Sequence, residues 1–261
     1  MSAARRDYEL SKDAEEDKPT GTLFSGDPNA PKRKKNTAQV QERKLPFFVD
    51  VFLFPISLAG IIQVVVYVIA SFVLRVLPIG ICWGIIMVVV NGYMYWYFCE
   101  CIRDSAVGAI RAPDVITTHP DIPDAISEFR RIVALMVLFA LPSVAYYVYT
   151  RQVDTPFWII TGAVGLFFPI SLLAVVMYGY LSAMNPILII RSVIAAPLGY
   201  VGTIAVFWVL VGVSEFLRVL MSATIALDLL GSAFLTYMTL VAGHVLGRFY
   251  FNNSEKLDWE V

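Results

Sequence analysis

Six runs of mostly apolar residues fill the chain after residue 54, and each is close to the length of about 20 residues that a helix needs to cross a bilayer. Apolar residues make up 58% of the chain and charged residues only 16%. A water-soluble fold of this size could not bury so much apolar surface, which excludes a soluble enzyme and a disulfide scaffold. The sequence therefore predicts an all-α, polytopic helical membrane protein. Its six transmembrane helices are predicted at about 55–74, 79–99, 132–149, 157–178, 198–214 and 225–247.

Residues 1–44 differ sharply from the predicted membrane domain, 45–251. They hold 18 of the 41 charged residues and show no periodic apolar face, so we expect a disordered cytosolic tail. Residues 252–261 are predicted to form a second, short cytosolic tail. A basic cluster beside the first span is predicted to bind anionic lipid headgroups, or alternatively only to fix the topology. Its members are Lys32, Arg33, Lys34, Lys35, Arg43 and Lys44.

The basic residues also predict the orientation in the membrane. An even number of spans places both termini on one side, and the segments on that side carry most of the Lys and Arg residues. The opposite loops carry only Arg75, Arg151 and Arg218. Because positive residues concentrate on the cytoplasmic side, both termini are predicted to be cytosolic.

Two further segments are predicted to lie at the membrane surface. The lead-in, Leu45 to Phe54, is apolar apart from Asp50 and is expected to turn at Pro55. The segment 182–197 begins with Asn185 as a helix cap and Pro186 as the first helical residue. Its roughly ten helical residues would cover about 15 Å, too little to cross the bilayer, so the segment lies along the interface or re-enters.

Polar residues inside predicted spans are the main candidates for function, because they are costly in lipid. Under a transport hypothesis, Asp228 or Glu215 carries a proton or cation, while Asn91 and Gln63 line the path. Under a structural hypothesis, Glu215 pairs with Arg218 and Asn91 bonds across helices. The full candidate set is Gln63, Asn91, Glu215, Asp228 and His244.

Other sites receive little support from the sequence. His119, Asp121, Asp124 and Glu128 could serve metal or acid–base chemistry, but they are better explained as capping and solvated residues. The three cysteines lack the spacing of a metal site, and no known catalytic or nucleotide-binding motif occurs. We therefore predict no catalytic, metal-binding or cofactor-binding residue and no enzyme activity. A net charge of −1 gives no reason to expect a nucleic-acid partner, and the sequence leaves the oligomeric state open.

The word FPISL occurs twice, at 54–58 and 168–172. Two homologous halves with three spans each would be inverted repeats, an arrangement common in transporters. The two copies lie at different depths of their predicted spans, however, which argues against a repeat.

Several short stretches resemble a bacterial family of polytopic membrane proteins of unknown function. They are Phe167 to Met177, Asn185 to Ser192, Gly243 to Tyr250 and Glu255 to Trp259. The general plan of that family is similar to Yip1-type membrane proteins, which are associated with membrane organisation and trafficking partners. The resemblance implies a bacterial cytoplasmic membrane location and offers no catalytic residue.

Two functions follow as hypotheses. In the first, a non-enzymatic membrane protein organises membranes or binds a protein partner through its cytosolic surface. In the second, a small secondary transporter or channel uses Asp228 with Asn91 and Gln63.

Overall fold

The structure, a computed structural model, describes residues 47–76, 82–114 and 121–259. Most of the described residues are helical and none of them forms a strand, which confirms the all-α prediction. The basic cluster at 32–44 and His119 lie outside the described residues. The helices are α1 (Phe47–Leu53), α2 (Leu58–Val76), α3 (Cys82–Ala106), α4 (Ile122–Thr150), α5 (Thr155–Tyr178), α6 (Pro186–Ala195), α7 (Pro197–Leu220) and α8 (Ile225–Leu257).

Five of these helices, α3, α4, α5, α7 and α8, are long and apolar enough to cross a membrane. The pair α1 and α2 would supply a sixth span, but it is bent by 65° where Phe54–Ile56 forms a short 3-10 turn. Pro55 lies in that turn, as the sequence predicted for the lead-in. The protein is therefore a multi-pass helical membrane protein.

The two ends of the helical bundle can be named by their residues. The Glu215 end carries the α4–α5 and α7–α8 connections, and the Arg103 end carries α1, the segment after α3, and α6. Helix α8 continues ten residues beyond the predicted end of its span at 247. Its extension is held because Leu257 and Trp259 are buried, and the Trp259 indole donates to Ser192 Oγ at 2.9 Å.

Helix α6 has the start that the sequence predicted. Asn185 caps it, with its Oδ1 accepting the Ile187 N–H at 2.9 Å, and Pro186 is its first residue. Ile189 and Ser192 are buried on one face, whereas Ile187, Ile190 and Ile194 are exposed on the other. A ten-residue helix with an exposed apolar face suits the membrane interface.

The two FPISL words have different structures. Phe54–Ile56 forms the 3-10 turn between α1 and α2. Residues 168–172 lie inside the continuous helix α5. The identity therefore does not reflect equivalent positions in two structural repeats.

Helices α3 and α8 cross at two glycines, Gly243 and Gly247. A Cβ on Gly247 would lie 2.4 Å from the Ser105 Cβ and 2.5 Å from the Ile102 carbonyl oxygen. A Cβ on Gly243 would meet the Phe98 ring at 2.9 Å. Small residues spaced by four thus allow these two helices to approach closely. Gly162 and Gly202, by contrast, have no neighbour within 4 Å of a built Cβ.

This crossing gives a stability prediction. Gly247→Ala forces α3 and α8 apart and should lower the unfolding free energy by about 2 kcal/mol, the usual cost of overpacking. Gly212→Ala is the matched control, because a Cβ there meets nothing within 4 Å and α7 continues through it. Reversible unfolding in mixed micelles measures both variants. Equal stability of the two would show that the crossing is not tightly packed.

Candidate functional site

One cavity of the described structure lies between α3, α4, α5, α7 and α8, with Tyr67 of α2 also contributing. Its volume is about 450 Å³, within the range of small-molecule sites. Most of its lining is apolar or aromatic. Six aromatic rings contribute: Tyr67, Tyr95, Phe98, Phe168, Phe207 and Trp208.

The polarity of this cavity changes with depth. Glu215 lies about 8 Å along the α7 axis from Leu220, near the Glu215 end. Ala242 lies about 26 Å along α8 from Ile225, and the lining at that depth is apolar. Among the described residues that line the cavity, Glu215 alone carries a formal charge. The cavity is therefore charged toward the Glu215 end, and its floor, toward the Arg103 end, is apolar.

Asn91, like Glu215, is a predicted intramembrane polar residue that lines the cavity. Its Nδ2 donates to the Met87 carbonyl at 2.8 Å, and its Oδ1 accepts from the Tyr67 hydroxyl at 3.1 Å. The side chain therefore links α3 to α2, as the structural hypothesis predicted, while still facing the cavity. Thr236 and Thr239 of α8 add hydroxyl groups to the lining, although each donates to a backbone carbonyl of its own helix.

A proline in α5 determines how α5 and α7 are hydrogen-bonded along one wall of the cavity. Pro169 has no N–H, so the Gly165 carbonyl loses its helical partner. The Trp208 indole of α7 donates to that oxygen at 2.8 Å. One residue further along, the Leu166 carbonyl accepts from the Tyr200 hydroxyl at 2.5 Å. These bonds hold the aromatic ring of Trp208 at the cavity.

The cavity is closed toward the Arg103 end by a packed layer. Phe98, Ile132, Leu172 and Ala242 form its floor, and all four are buried. Residues 173–176 of α5 and 243–247 of α8 are buried continuously beyond it. A molecule in the cavity therefore has no open route to the Arg103 end in this conformation.

A cluster of four charges lies beyond that layer and joins α3, α4 and α5. Arg103 contacts Glu100 at 2.9 Å and Glu128 at 2.7 Å, and its Nε donates to the Val176 carbonyl at 3.0 Å. Arg131 completes the cluster by contacting the same Glu128 oxygen at 3.0 Å. Two positive and two negative charges thus compensate one another inside the protein.

The placement of Glu128 corrects one expectation. The sequence suggested a capping or solvated residue, but the side chain is only 6% exposed and bridges two arginines. Asp121 does occupy the N-cap position of α4, but its side chain makes no capping hydrogen bond. Glu100 and Arg103, by contrast, are three residues apart on one helix and form a pair that spacing alone can suggest. Burial of Glu128 depends on α4 packing against α3, which spacing along one helix does not reveal.

His244 belongs to a second buried polar cluster, on α8, and is 0% exposed. Its Nδ1 lies 2.6 Å from Ser105 Oγ, and that hydroxyl also lies 2.6 Å from the Cys101 carbonyl. A single hydroxyl proton directed at the carbonyl requires His244 to carry hydrogen on Nδ1. Phe54 stacks on the imidazole with ring centroids 3.9 Å apart.

The lead-in helix is attached to α8 through the same cluster. Asp50 Oδ2 lies 3.6 Å from Arg248 Nη2 and 4.0 Å from His244 Nε2. The Tyr237 hydroxyl of α8 also donates to the Phe52 carbonyl of α1. His244 therefore has a structural position at the Arg103 end and is not among the residues that line the cavity.

The remaining predicted residues, Gln63 and Asp228, are not part of the cavity lining. Gln63 is 2% exposed and its Oε1 accepts from the Tyr93 hydroxyl at 3.0 Å. Asp228 lies in the first turn of α8, where a negative charge favours the helix dipole. The structure thus places Asn91 and Glu215 in the lining of one cavity, whereas Gln63 and Asp228 are not among its lining residues.

Sequence reasoning missed Trp208, Thr236 and Thr239 as lining residues. Trp208 lies in the middle of α7, away from the membrane interfaces where Trp is usually enriched. The available signal was Pro169, which frees a carbonyl that a donor on a neighbouring helix must satisfy. Nothing in one sequence indicates which neighbour supplies that donor.

No three His, Cys, Asp or Glu side chains converge as metal ligands within the described ranges. Comparison of the chain with protein-family models, curated proteins and solved structures gives no match.

The charge cluster gives a second stability prediction. Glu128→Gln leaves Arg103 and Arg131 without their shared carboxylate and should lower the unfolding free energy by about 3 kcal/mol. Asp258→Asn is the control, because its pair with Arg191 is 3.6 Å long and highly exposed, which makes it worth roughly 0–1 kcal/mol. Mixed-micelle unfolding of both variants measures the difference. Equal effects would mean that the Glu128 pairs are solvated.

Proposed function

We propose that the protein is a carrier of the secondary-transporter kind, which holds a small molecule in the cavity between α3, α4, α5, α7 and α8. The observation that carries this proposal is the cavity itself. It combines a volume of about 450 Å³ with an aromatic lining, a carboxylate and a closed floor. Such convergence of apolar walls with few polar groups is characteristic of ligand sites.

The proposal changes the residues of the transport hypothesis. Asn91 stays, since it faces the cavity, and Glu215 replaces Asp228 as the carboxylate on the path. Gln63 becomes a residue that links α2 to α3 through Tyr93. With both termini in the cytosol, as the basic residues predict, the Glu215 end faces outward.

Cysteine accessibility tests the carrier without a known substrate. In protein carrying Cys82→Ser, Asn91→Cys should react with a membrane-impermeant thiol reagent, because position 91 faces the cavity. Gln63→Cys should not react, since that position is buried outside it. Cys99 and Cys101 can stay, because both are buried. Labelling is measured in sealed vesicles by the mass of the modified protein.

The sidedness of this reaction separates a carrier from a one-sided binding protein. A carrier exposes its site alternately, so Asn91→Cys should react with reagent supplied from either side of the vesicle. Reaction from one side only would leave a binding protein. An unreactive Asn91→Cys, with a reactive control at exposed Val107, would contradict the cavity as a ligand site.

A partner-binding role on the cytosolic side is a second proposal, in keeping with the architectural likeness to Yip1-type proteins. The end of α8 favours it. Asn252, Ser254, Glu255 and Lys256 are exposed there on a helix that Leu257 and Trp259 anchor. A polar surface held rigidly in this way suits recognition by a protein.

Charge reversal tests the second proposal without disturbing the fold. Glu255→Lys with Lys256→Glu changes exposed charges only and should abolish capture of a partner from native membranes. Glu215→Lys, at the opposite end, is the control. Capture that is unchanged by the double variant and by removal of residues 1–44 would count against this role.

A further inference from the structure

We infer that the molecule bound in this cavity is a cationic amphiphile, with its positive group at Glu215 and its apolar part against the aromatic lining. The inference rests on the proposed function and specifies its ligand. Its basis is the placement of one carboxylate at one end of a cavity whose other described lining residues carry no formal charge.

The aromatic lining fits such a ligand. Phe168 lies 6.2 Å from Trp208 and 6.4 Å from Phe207 between ring centroids, so three rings surround one region of the cavity. The faces of aromatic rings carry negative electrostatic potential, which attracts a cation and disfavours an anion. They also supply the large apolar contact that an amphiphile requires.

The carboxylate of Glu215 is available for exchange. Arg218 contacts it at 2.8 Å, but the Arg218 side chain is 37% exposed and the Glu215 side chain is 48% exposed. A pair this exposed is worth roughly 0–1 kcal/mol, so a ligand cation that is partly shielded from water can displace the guanidinium. Arg218 itself is not a lining residue. The buried cluster around Arg103 offers no such exchange, because its carboxylates are enclosed.

We expect such a ligand to enter from the membrane through the side of the bundle, and two lining residues favour this route. Met136 of α4 and Trp208 of α7 both line the cavity, and they are 41% and 39% exposed. Both lie about 20 Å along their helices from the Glu215 end, near the middle of a bilayer. An amphiphile could thus enter laterally between α4 and α7 and reach Glu215 from within.

Tetraphenylphosphonium and tetraphenylborate are suitable probes, because they have nearly the same shape and opposite charge. Binding of each to the full-length protein in lipid nanodiscs is measured by equilibrium dialysis, with empty nanodiscs subtracted. We expect the cation to bind and the anion to bind at least about tenfold more weakly. Equal binding of both ions, or no binding of the cation, would overturn the inference.

Variants of one ion pair provide the decisive comparison. Glu215→Gln should weaken cation binding about tenfold, whereas Arg218→Gln removes a competitor and should strengthen it about threefold. If the pair had only a structural role, both substitutions would change the affinity for the cation in the same direction, and that result would overturn the inference. Asp228→Asn removes a carboxylate at the same end outside the cavity lining and should leave binding unchanged.

Failure of this inference is distinguishable from failure of the carrier. If Asn91→Cys reacts with the thiol reagent but the cation neither binds nor protects that cysteine, the cavity takes a ligand of another charge. If Asn91→Cys does not react, both the carrier and its cationic ligand are excluded.

Discussion

The scarcity of water inside a helical bundle constrains the polar groups that are buried in this protein. A charge that is buried away from water must find its counter-charge within the protein. Arg103, Glu100, Glu128 and Arg131 meet this demand together at the Arg103 end. Because each carboxylate has an arginine beside it, three helices are fixed relative to one another, and the floor of the cavity rests on that fixed layer.

The same demand acts on the backbone at Pro169. The carbonyl of Gly165, which lacks its usual helical donor, accepts a hydrogen bond from Trp208 of the next long helix. A defect in one helix is thereby corrected by an aromatic residue that then faces the cavity. The wall of the candidate site thus follows from how α5 satisfies its backbone hydrogen bonds. Phe168, which precedes Pro169, lies in the same wall.

Much of the fold could be predicted from the sequence, because its signals are local. Apolar run length gave the spans, Pro55 gave the turn after the lead-in, and Asn185 with Pro186 gave the start of α6. The candidate site was harder. Asn91 and Glu215 were named, but so were Gln63 and Asp228, and run length does not reveal which face of a span meets a cavity. The burial of Glu128 and the position of Trp208 depend on contacts between different helices, which no spacing along one helix encodes.

The two groups of ion pairs in this bundle have different consequences for function. The pairs of Arg103 are enclosed, so breaking one leaves a charge with no solvent to receive it, and they are suited to hold a structure. The pair of Glu215 and Arg218 is largely open, so its partners can exchange for another charge at little cost. A carrier needs ion pairs of both kinds. Enclosed pairs keep one end of the bundle assembled, and an exposed pair leaves one carboxylate able to change partners. The cavity lies between them, with its single described charge on the exchangeable side.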